Sequence, residues 1–355
     1  MVTEKIKFGT DGWRAIIAQD FTVYNVSRVS KGLADWLLQK TDKPVVVIGH
    51  DCRFGGQLFT DASTKVLCAN GIKVLMAKGF ISTPMISLGV LQLKANQGVV
   101  ITASHNPPSY NGYKLKGAHG GPSSPKDIAA VEALIPDEVE IPSQPLSYWE
   151  EKGLLEYINL EDIYVDYLKQ KFDFEALQKS PFKMAYDAMF GAGQNVIRRL
   201  LPGAVLIHCE DNPGFLGQAP EPLDKNLKQL AQTVASTAEI KIGLATDGDA
   251  DRIGLYDGDG NFVDAHNIIL LLIHYLHKYK GMTGKVVIAF SVTDRVKKLC
   301  AHYGLPVEVT AIGFKYISEI MVTDDVLVGG EESGGIAVKG HIPERDGIYD
   351  GLAIY

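Results

Sequence analysis

Pro44-Val-Val-Val-Ile-Gly49 and Ile72-Lys-Val-Leu-Met76 enclose a helical stretch over residues 56–69 that Asn70-Gly71 stops. Short apolar, β-branched runs bounded by turn residues read as buried strands, and strand–helix–strand order reads as a parallel sheet. Outward from this unit, Val26, Val29, Leu33, Trp36 and Leu37 recur at helical spacing over residues 25–39. Gly98-Val-Val-Ile-Thr102 supplies a further buried strand. The plan recurs twice. Lys183–Asp187 and Ala204–His208 flank one helix, and Lys285–Phe290 and Pro306–Val309 flank another. The expected fold is therefore α/β, with three consecutive α/β/α layered domains of similar plan and mostly parallel mixed sheets. Expected boundaries are 1–146, 147–258 and 259–355, with the proline-rich, acidic stretch Pro136–Pro145 as the first linker. Asp257-Gly-Asp-Gly260 between Ile253–Tyr256 and Asn261–Val263 is a hairpin turn signal.

The 355 residues are 46% hydrophobic and 22% charged, with a formal net charge of −7. That composition is globular, and no basic stripe offers itself to nucleic acid or anionic lipid. Met1-Val-Thr-Glu-Lys-Ile-Lys7 lacks the apolar run of a signal peptide. The longest apolar run, Ile268–Ile273, is too short to span a membrane and reads as a buried helix, with His274 and His277 as core or surface histidines. Cys52, Cys68, Cys209 and Cys300 are scattered, which fits free thiols in a reducing cytoplasm and suggests no zinc site.

The strand at Gly98–Thr102 runs into Ala103-Ser104-His105-Asn106-Pro107-Pro108. Ser104 thus sits past the carboxyl end of a strand, where open α/β sheets bind ligands. Lys114 and Lys116 follow closely, so the loop suits chemistry on an anion such as phosphate; alternatively Ser104 closes its own turn. Asp247-Gly-Asp249-Ala-Asp251-Arg252 is the strongest chemical signal. Carboxylates at i, i+2 and i+4 on an extended chain point the same way and suit one Mg²⁺; alternatively they form a surface turn of solvated carboxylates. An EF-hand needs Gly at position 6 and Glu at position 12, where this chain has Arg252 and Gly258. Gly329-Gly-Glu331-Glu332-Ser333-Gly-Gly335 packs hydrogen-bond acceptors between glycines and suits sugar hydroxyls, or is a glycine-rich turn with exposed acids. Phe8-Gly-Thr-Asp-Gly-Trp-Arg14 offers Arg14 as a phosphate clamp, or a solvated arginine. Gly313-Phe-Lys315 and His341-Ile-Pro-Glu-Arg345-Asp346-Gly347 add cations nearby in sequence. There is no Gly-x-Ser-x-Gly elbow, no phosphate-binding Gly-x-x-x-x-Gly-Lys loop and no clean dinucleotide fingerprint. On extended backbone the His105 side chain would face away from Ser104, making it a poor base for that hydroxyl.

Together these segments resemble the α-D-phosphohexomutases, the phosphoglucomutase and phosphomannomutase family, in order and from end to end. The resemblance implies a Mg²⁺-dependent interconversion of hexose 1-phosphate and hexose 6-phosphate, glucose first, through a phosphoserine and a bound 1,6-bisphosphate. Mannose or glucosamine specificity is the alternative. It implies Ser104 as phosphoryl carrier and metal ligand, Asp247, Asp249 and Asp251 as the other metal ligands, and His105 and Lys114 as proton-transfer candidates. Arg14 and Arg252 would hold phosphoryl charge, and Glu331, Ser333, Gly313, Lys315, His341 and Arg345 would contact substrate. Glucose 1,6-bisphosphate would be the activator, phosphosugar the only partner, and the enzyme a cytoplasmic monomer. In some relatives a lysine stands where this chain has Arg345, and arginine is a poor proton shuttle. The family's fourth, C-terminal, phosphate-gripping domain is expected to be absent, since the apolar helix begun at Asp346 stops at Tyr355. Weak turnover would follow from the lost remote binding energy. Two rivals are a phosphatase using an Asp247-cluster nucleophile and a non-catalytic phosphosugar-binding fragment.

Overall fold

Valine- and isoleucine-rich runs with no polar side chain to satisfy go to the middle of a sheet, and here they do so three times. The structure, a computed structural model, describes residues 5–355. Part of the N-terminal stretch read as leaderless, residues 1–4, lies outside the described residues. Strands β1 (Trp13–Ile16), β2 (Val45–His50), β3 (Lys73–Phe80), β4 (Gln97–Ile101), β5 (Tyr110–Gly117) and β6 (Leu155–Ile158) form the first sheet in the order β1-β5-β4-β2-β3-β6. Neighbours from β4 to β6 are parallel, and β5 runs antiparallel to both β4 and β1. Strands β7 (Lys183–Asp187), β8 (Val205–Ile207), β9 (Ile240–Thr246), β10 (Ile253–Asp257) and β11 (Phe262–Val263) form the second, β11-β10-β9-β7-β8. Strands β12 (Lys285–Ala289), β13 (Val307–Thr310), β14 (Val326–Gly330) and β15 (Ile336–Val338) form the third, β13-β12-β14-β15. The α/β class and the mostly parallel, mixed sheets agree with the sequence reading.

The pairing moves both boundaries. Residues 155–158, expected in the second unit, pair in parallel with β3 and close the edge of the first sheet. Residues 262–263, expected in the third unit, pair with β10 in the second. Hydrogen-bonding of a sheet edge overrides the composition shift at Pro136–Pro145, which is an irregular connection inside the first unit's span. The hairpin at Asp257–Gly260 forms as expected, with the Asn261 carbonyl accepting from the Asp257 N–H. All four cysteines are buried and free. Among the described residues, no helix is long and apolar enough to cross a membrane.

Helices cover the sheets by burying their apolar stripes. The helix Val23–Leu38 is capped by the Thr22 side chain, which accepts from the Asn25 N–H. The helix Thr83–Gln92 is buried on nearly every side, because it lies between the first sheet and the helix Leu160–Lys171. The helix Ala265–His274 buries Ile268, Ile269, Leu272 and Ile273 and exposes Leu271. One apolar core runs through all three units, from Val47, Ile86 and Val100 through Met184 and Leu244 to Ile288 and Val328. Burial of about 25 cal/mol per Å² of apolar surface thus holds the units together as well as building each one.

A buried polar contact spans the same junction. The Tyr164 hydroxyl lies 2.7 Å from both carboxylate oxygens of Asp346. Asp346 also caps the helix Gly347–Ile354 by accepting from the Ile348 and Tyr349 N–H groups. Tyr164→Phe is expected to destabilise the chain by about 1–3 kcal/mol by removing a donor from a buried carboxylate. A urea-denaturation midpoint unchanged from the parent would contradict this.

Candidate active site

Parallel strands present their carboxyl ends on one side, and here the ends of β2, β4, β9 and β14 meet. Past β4 the chain leaves the sheet at Ser104, whose φ of +53° is left-handed. Past β9 it curls through Asp247–Asp251, with Ala250 at φ +57° making the turn. Gly248 allows the two loops to meet, because a Cβ there would lie 2.5 Å from the Ser104 carbonyl oxygen. The Ser104 hydroxyl then donates to Asp247 Oδ2 at 2.6 Å.

Asp247, Asp249 and Asp251 are fully buried, and one oxygen from each lies within 4.8 Å of the others. Their surroundings differ. Lys114 Nζ, itself buried, donates to Asp249 Oδ2 at 2.8 Å and Asp251 Oδ2 at 3.2 Å, and pairs with Asp11 Oδ2 at 2.8 Å. Arg345 Nη2 pairs with Asp251 Oδ2 and Asp11 Oδ2, both at 2.7 Å. Burial alone would raise the Asp249 carboxyl, but Lys114 and Thr83 hold it well below the usual carboxylate range. Burial and the charges of Asp249 and Asp251 push Asp247 well above that range. Among the described residues Asp247 has no cationic side chain within ion-pair reach; its oxygens accept from the Ser104 hydroxyl and the Arg252 N–H. Asp249 Oδ1 and Asp251 Oδ1 are buried with no hydrogen-bond partner at all. A buried carboxylate oxygen without a donor is costly. Three clustered carboxylates, with two buried oxygens among them unpartnered, are the donor set a hard divalent cation takes.

The cleft above this cluster has a volume of about 470 Å³. Arg14, His105, Arg252, Gly313, Glu331, Ser333 and Arg345 line it, so residues from all three units share one wall. Arg14 is steered by Asn106, whose Oδ1 accepts from its Nη1 at 2.6 Å. Glu331 Oε1 accepts from the Gly313 N–H at 2.8 Å, which ties the glycine-rich loop after β14 to the loop after β13. Burial pushes the Glu331 carboxyl up, with Arg345 and the Gly313 N–H opposing.

Three sequence expectations change. His105 does not face away from Ser104: the left-handed Ser104 backbone brings His105 Nδ1 to 3.3 Å from the Ser104 hydroxyl. Burial and the cations Arg252, Arg14 and Lys114 depress the imidazole to about 3, so it is neutral at physiological pH. His341 does not reach the cleft. Its side chain is 1% exposed, Nε2 lies 2.8 Å from Asp346 Oδ2, and its ring stacks on Tyr349. Lys315 sits off the main cleft, behind the Gly9–Gly12 loop, with its ammonium over the Tyr316 ring. The resemblance that points to Lys315 and the sequence neighbourhood that points to His341 do not say which side of the chain each residue presents. Lys114 is fully buried. Burial alone would lower it, but Asp11, Asp249 and Asp251 hold it protonated, well above its ordinary value.

Other site residues escaped the sequence. Asp11 is the hub of the cations: burial alone would raise it, yet Lys114, Arg345, Lys116 and Arg14 hold its carboxyl well below the usual range. Glu344 is fully buried and accepts from Lys116 Nζ at 2.6 Å, joining the first sheet to the third unit. Both lie inside segments singled out for Arg14 and Arg345, and only their distant partners mark them.

The chain matches three models of one family, described as phosphoglucomutase/phosphomannomutase α/β/α domains I, II and III, over residues 5–141, 162–260 and 264–355. A phosphoglucomutase/phosphomannomutase from Thermococcus kodakarensis is 29% identical over 345 residues, covering 96% of this chain and 74% of the relative. A phosphoglucosamine mutase from Bacillus cereus is 30% identical, covering 98% of this chain and 77% of the relative. The crystal structure of a candidate phosphomannomutase from Thermus thermophilus superposes with a TM-score of 0.92 at 36% identity, covering 99% of this chain and 79% of that one.

The carboxylate cluster makes a pH-dependent prediction. Asp247 binds its proton more tightly folded than unfolded, which adds stability at low pH that is lost as pH rises through its raised pKa. Mg²⁺ at a hundredfold excess over its Kd should restore about 2.7 kcal/mol. The thermal shift on adding Mg²⁺ should therefore grow from pH 5 to pH 8 and be lost in Asp249→Asn. An equal shift at every pH, or one retained in Asp249→Asn, would contradict the assignment.

Proposed function

The chain belongs to the phosphoglucomutase/phosphomannomutase family, a family of intramolecular phosphotransferases, and on that footing we propose that it interconverts hexose 1-phosphate and hexose 6-phosphate, with glucose as first substrate. The observation that carries this reading is the Ser104 hydroxyl 2.6 Å from Asp247 inside a buried cluster of three carboxylates. Ser104 carries the phosphoryl group. Asp247, Asp249 and Asp251, with the serine oxygen, would hold Mg²⁺. When bound, that ion neutralises charge on the transferring phosphoryl group.

The remaining chemistry belongs to the chain's own side chains. As the sugar hydroxyl oxygen bonds to phosphorus, the bond from phosphorus to the Ser104 oxygen breaks, and the sugar hydroxyl must lose its proton. His105 lines the cleft with Nδ1 3.3 Å from the Ser104 hydroxyl, and its position makes it the candidate to take that proton. Lys114, which Asp11, Asp249 and Asp251 favour in its protonated form, brings positive charge to the cluster and is the second proton-transfer candidate. Arg14 and Arg252 line the cleft with donors that suit phosphate oxygens. Arg345 holds Asp11 and Asp251 and so ties the third unit to the carboxylate cluster. Glu331 and Ser333 offer an acceptor and a hydroxyl to the sugar in both of its orientations. The 1,6-bisphosphate turns over in the cleft and returns its other phosphate to Ser104, which makes glucose 1,6-bisphosphate the activator. The first unit thus contributes the phosphoserine loop, the second the metal loop and the third the sugar loop.

Incubation with glucose 1,6-bisphosphate and Mg²⁺ should place phosphate on Ser104, seen in a phosphopeptide map and lost in Ser104→Ala. Glucose 6-phosphate should then discharge that phosphate faster than mannose 6-phosphate or glucosamine 6-phosphate. Phosphate on an aspartate, labile to hydroxylamine, would contradict the mechanism, and fastest discharge by another sugar would contradict the specificity.

A further inference from the structure

Arg53 lies just past β2, and it is only 3% exposed. Its guanidinium donates to four main-chain carbonyls of one loop. Nη2 reaches the Ser104 oxygen at 2.5 Å and the Asn106 oxygen at 2.6 Å. Nη1 reaches the Pro107 oxygen at 2.9 Å and the Tyr110 oxygen at 3.2 Å. Nε lies 3.3 Å from Asp51 Oδ2. The same Asp51 accepts from the Arg53 N–H at 2.9 Å and from the Thr102 hydroxyl. Thr102 Oγ1 in turn accepts from the Ser104 N–H at 2.9 Å.

Both main-chain polar groups of Ser104 are therefore fixed by one Asp51–Arg53 pair, its C=O directly and its N–H through Thr102. Ser104 needs such a hold. A left-handed φ on a residue with a side chain persists only where the surroundings over-determine it. The face of the guanidinium is covered as well: the Phe215 ring of the second unit lies 5.0 Å from Arg53 Cζ. Phe215 and Leu216 are themselves left-handed, at φ +46° and +53°. Only a planar, five-donor fork matches four carbonyls and an aromatic face at once.

We infer that Arg53 is a positioning residue for phosphoryl transfer: it aims Ser104 at the carboxylate cluster, and Phe215 keeps its guanidinium in place. The inference rests on the phosphoserine reading above. It makes alignment of the serine depend on contact between the first and second units, at residues that line neither the cleft nor the metal cluster.

The test is the rate of Ser104 phosphorylation from glucose 1,6-bisphosphate in Arg53→Lys, Arg53→Ala and Phe215→Leu, with circular dichroism as the folding control. Misplacement of a reacting group by about 1 Å costs on the order of 100-fold in rate. Arg53→Lys should fall by about that factor, with the half-saturating bisphosphate concentration within about threefold of the parent. Phe215→Leu should fall less, and methylguanidinium should restore part of the rate in Arg53→Ala. If Arg53→Ala does not fold, Arg53→Lys and Phe215→Leu decide the matter. A parent-like rate in Arg53→Lys, or a loss carried wholly by the half-saturating concentration, would overturn the inference alone. Absence of phosphate on Ser104 in the unsubstituted chain would overturn the phosphoserine reading and this inference with it.

Discussion

Three buried carboxylates clustered within 4.8 Å of one another repel strongly, and the rest of the site is arranged around that repulsion. Lys114 pairs with Asp249 and Asp251, Arg345 pairs with Asp251, and both cations also pair with Asp11. Asp247 alone is left to the Ser104 hydroxyl and a backbone N–H. The shortfall sits beside the serine. Four carboxylates around two paired cations leave negative charge over, which is what a divalent cation would neutralise.

That frame also fixes how the units meet. Lys114 and Lys116 belong to β5 of the first sheet, the aspartates follow β9 of the second, and Glu344 and Arg345 follow β15 of the third. Breaking a buried pair such as Lys116–Glu344 leaves an unpaired charge, typically costing about 3–5 kcal/mol, so these contacts specify the arrangement more than they stabilise it. The apolar core that runs through the units supplies the stability. The cleft is then a consequence of docking: its wall takes Arg14 and His105 from one unit, Arg252 from the next, and Glu331 and Ser333 from the last.

Much of this was legible in one dimension. Periodicity and turn residues located the Val- and Ile-rich strands because their burial is local to the run. Leu155–Ile158 escaped because a four-residue edge strand with Glu156 and Tyr157 pointing outward carries little apolar signal. The segments bearing Ser104, Asp247 and Glu331 were visible as chemistry packed among glycines. Asp11, Glu344 and Arg53 were not, since their meaning lies in partners far along the chain: Asp11 and Arg345 are 334 positions apart. The orientation of His105 is not legible because it depends on the left-handed backbone of Ser104, which the residue types do not announce. Neither the resemblance at Lys315 nor the sequence neighbourhood of His341 says which side a loop presents.

The account stands on the claim that Asp247, Asp249, Asp251 and the Ser104 oxygen surround a single metal position. Crystals of the chain grown with Mn²⁺ in place of Mg²⁺ would locate it by anomalous scattering. The account predicts one strong peak about 2.1 Å from an oxygen of each aspartate and from the Ser104 oxygen or its phosphate. Mn²⁺ bound elsewhere, with the Lys114 and Arg345 pairs unchanged around an unfilled cluster, would contradict it.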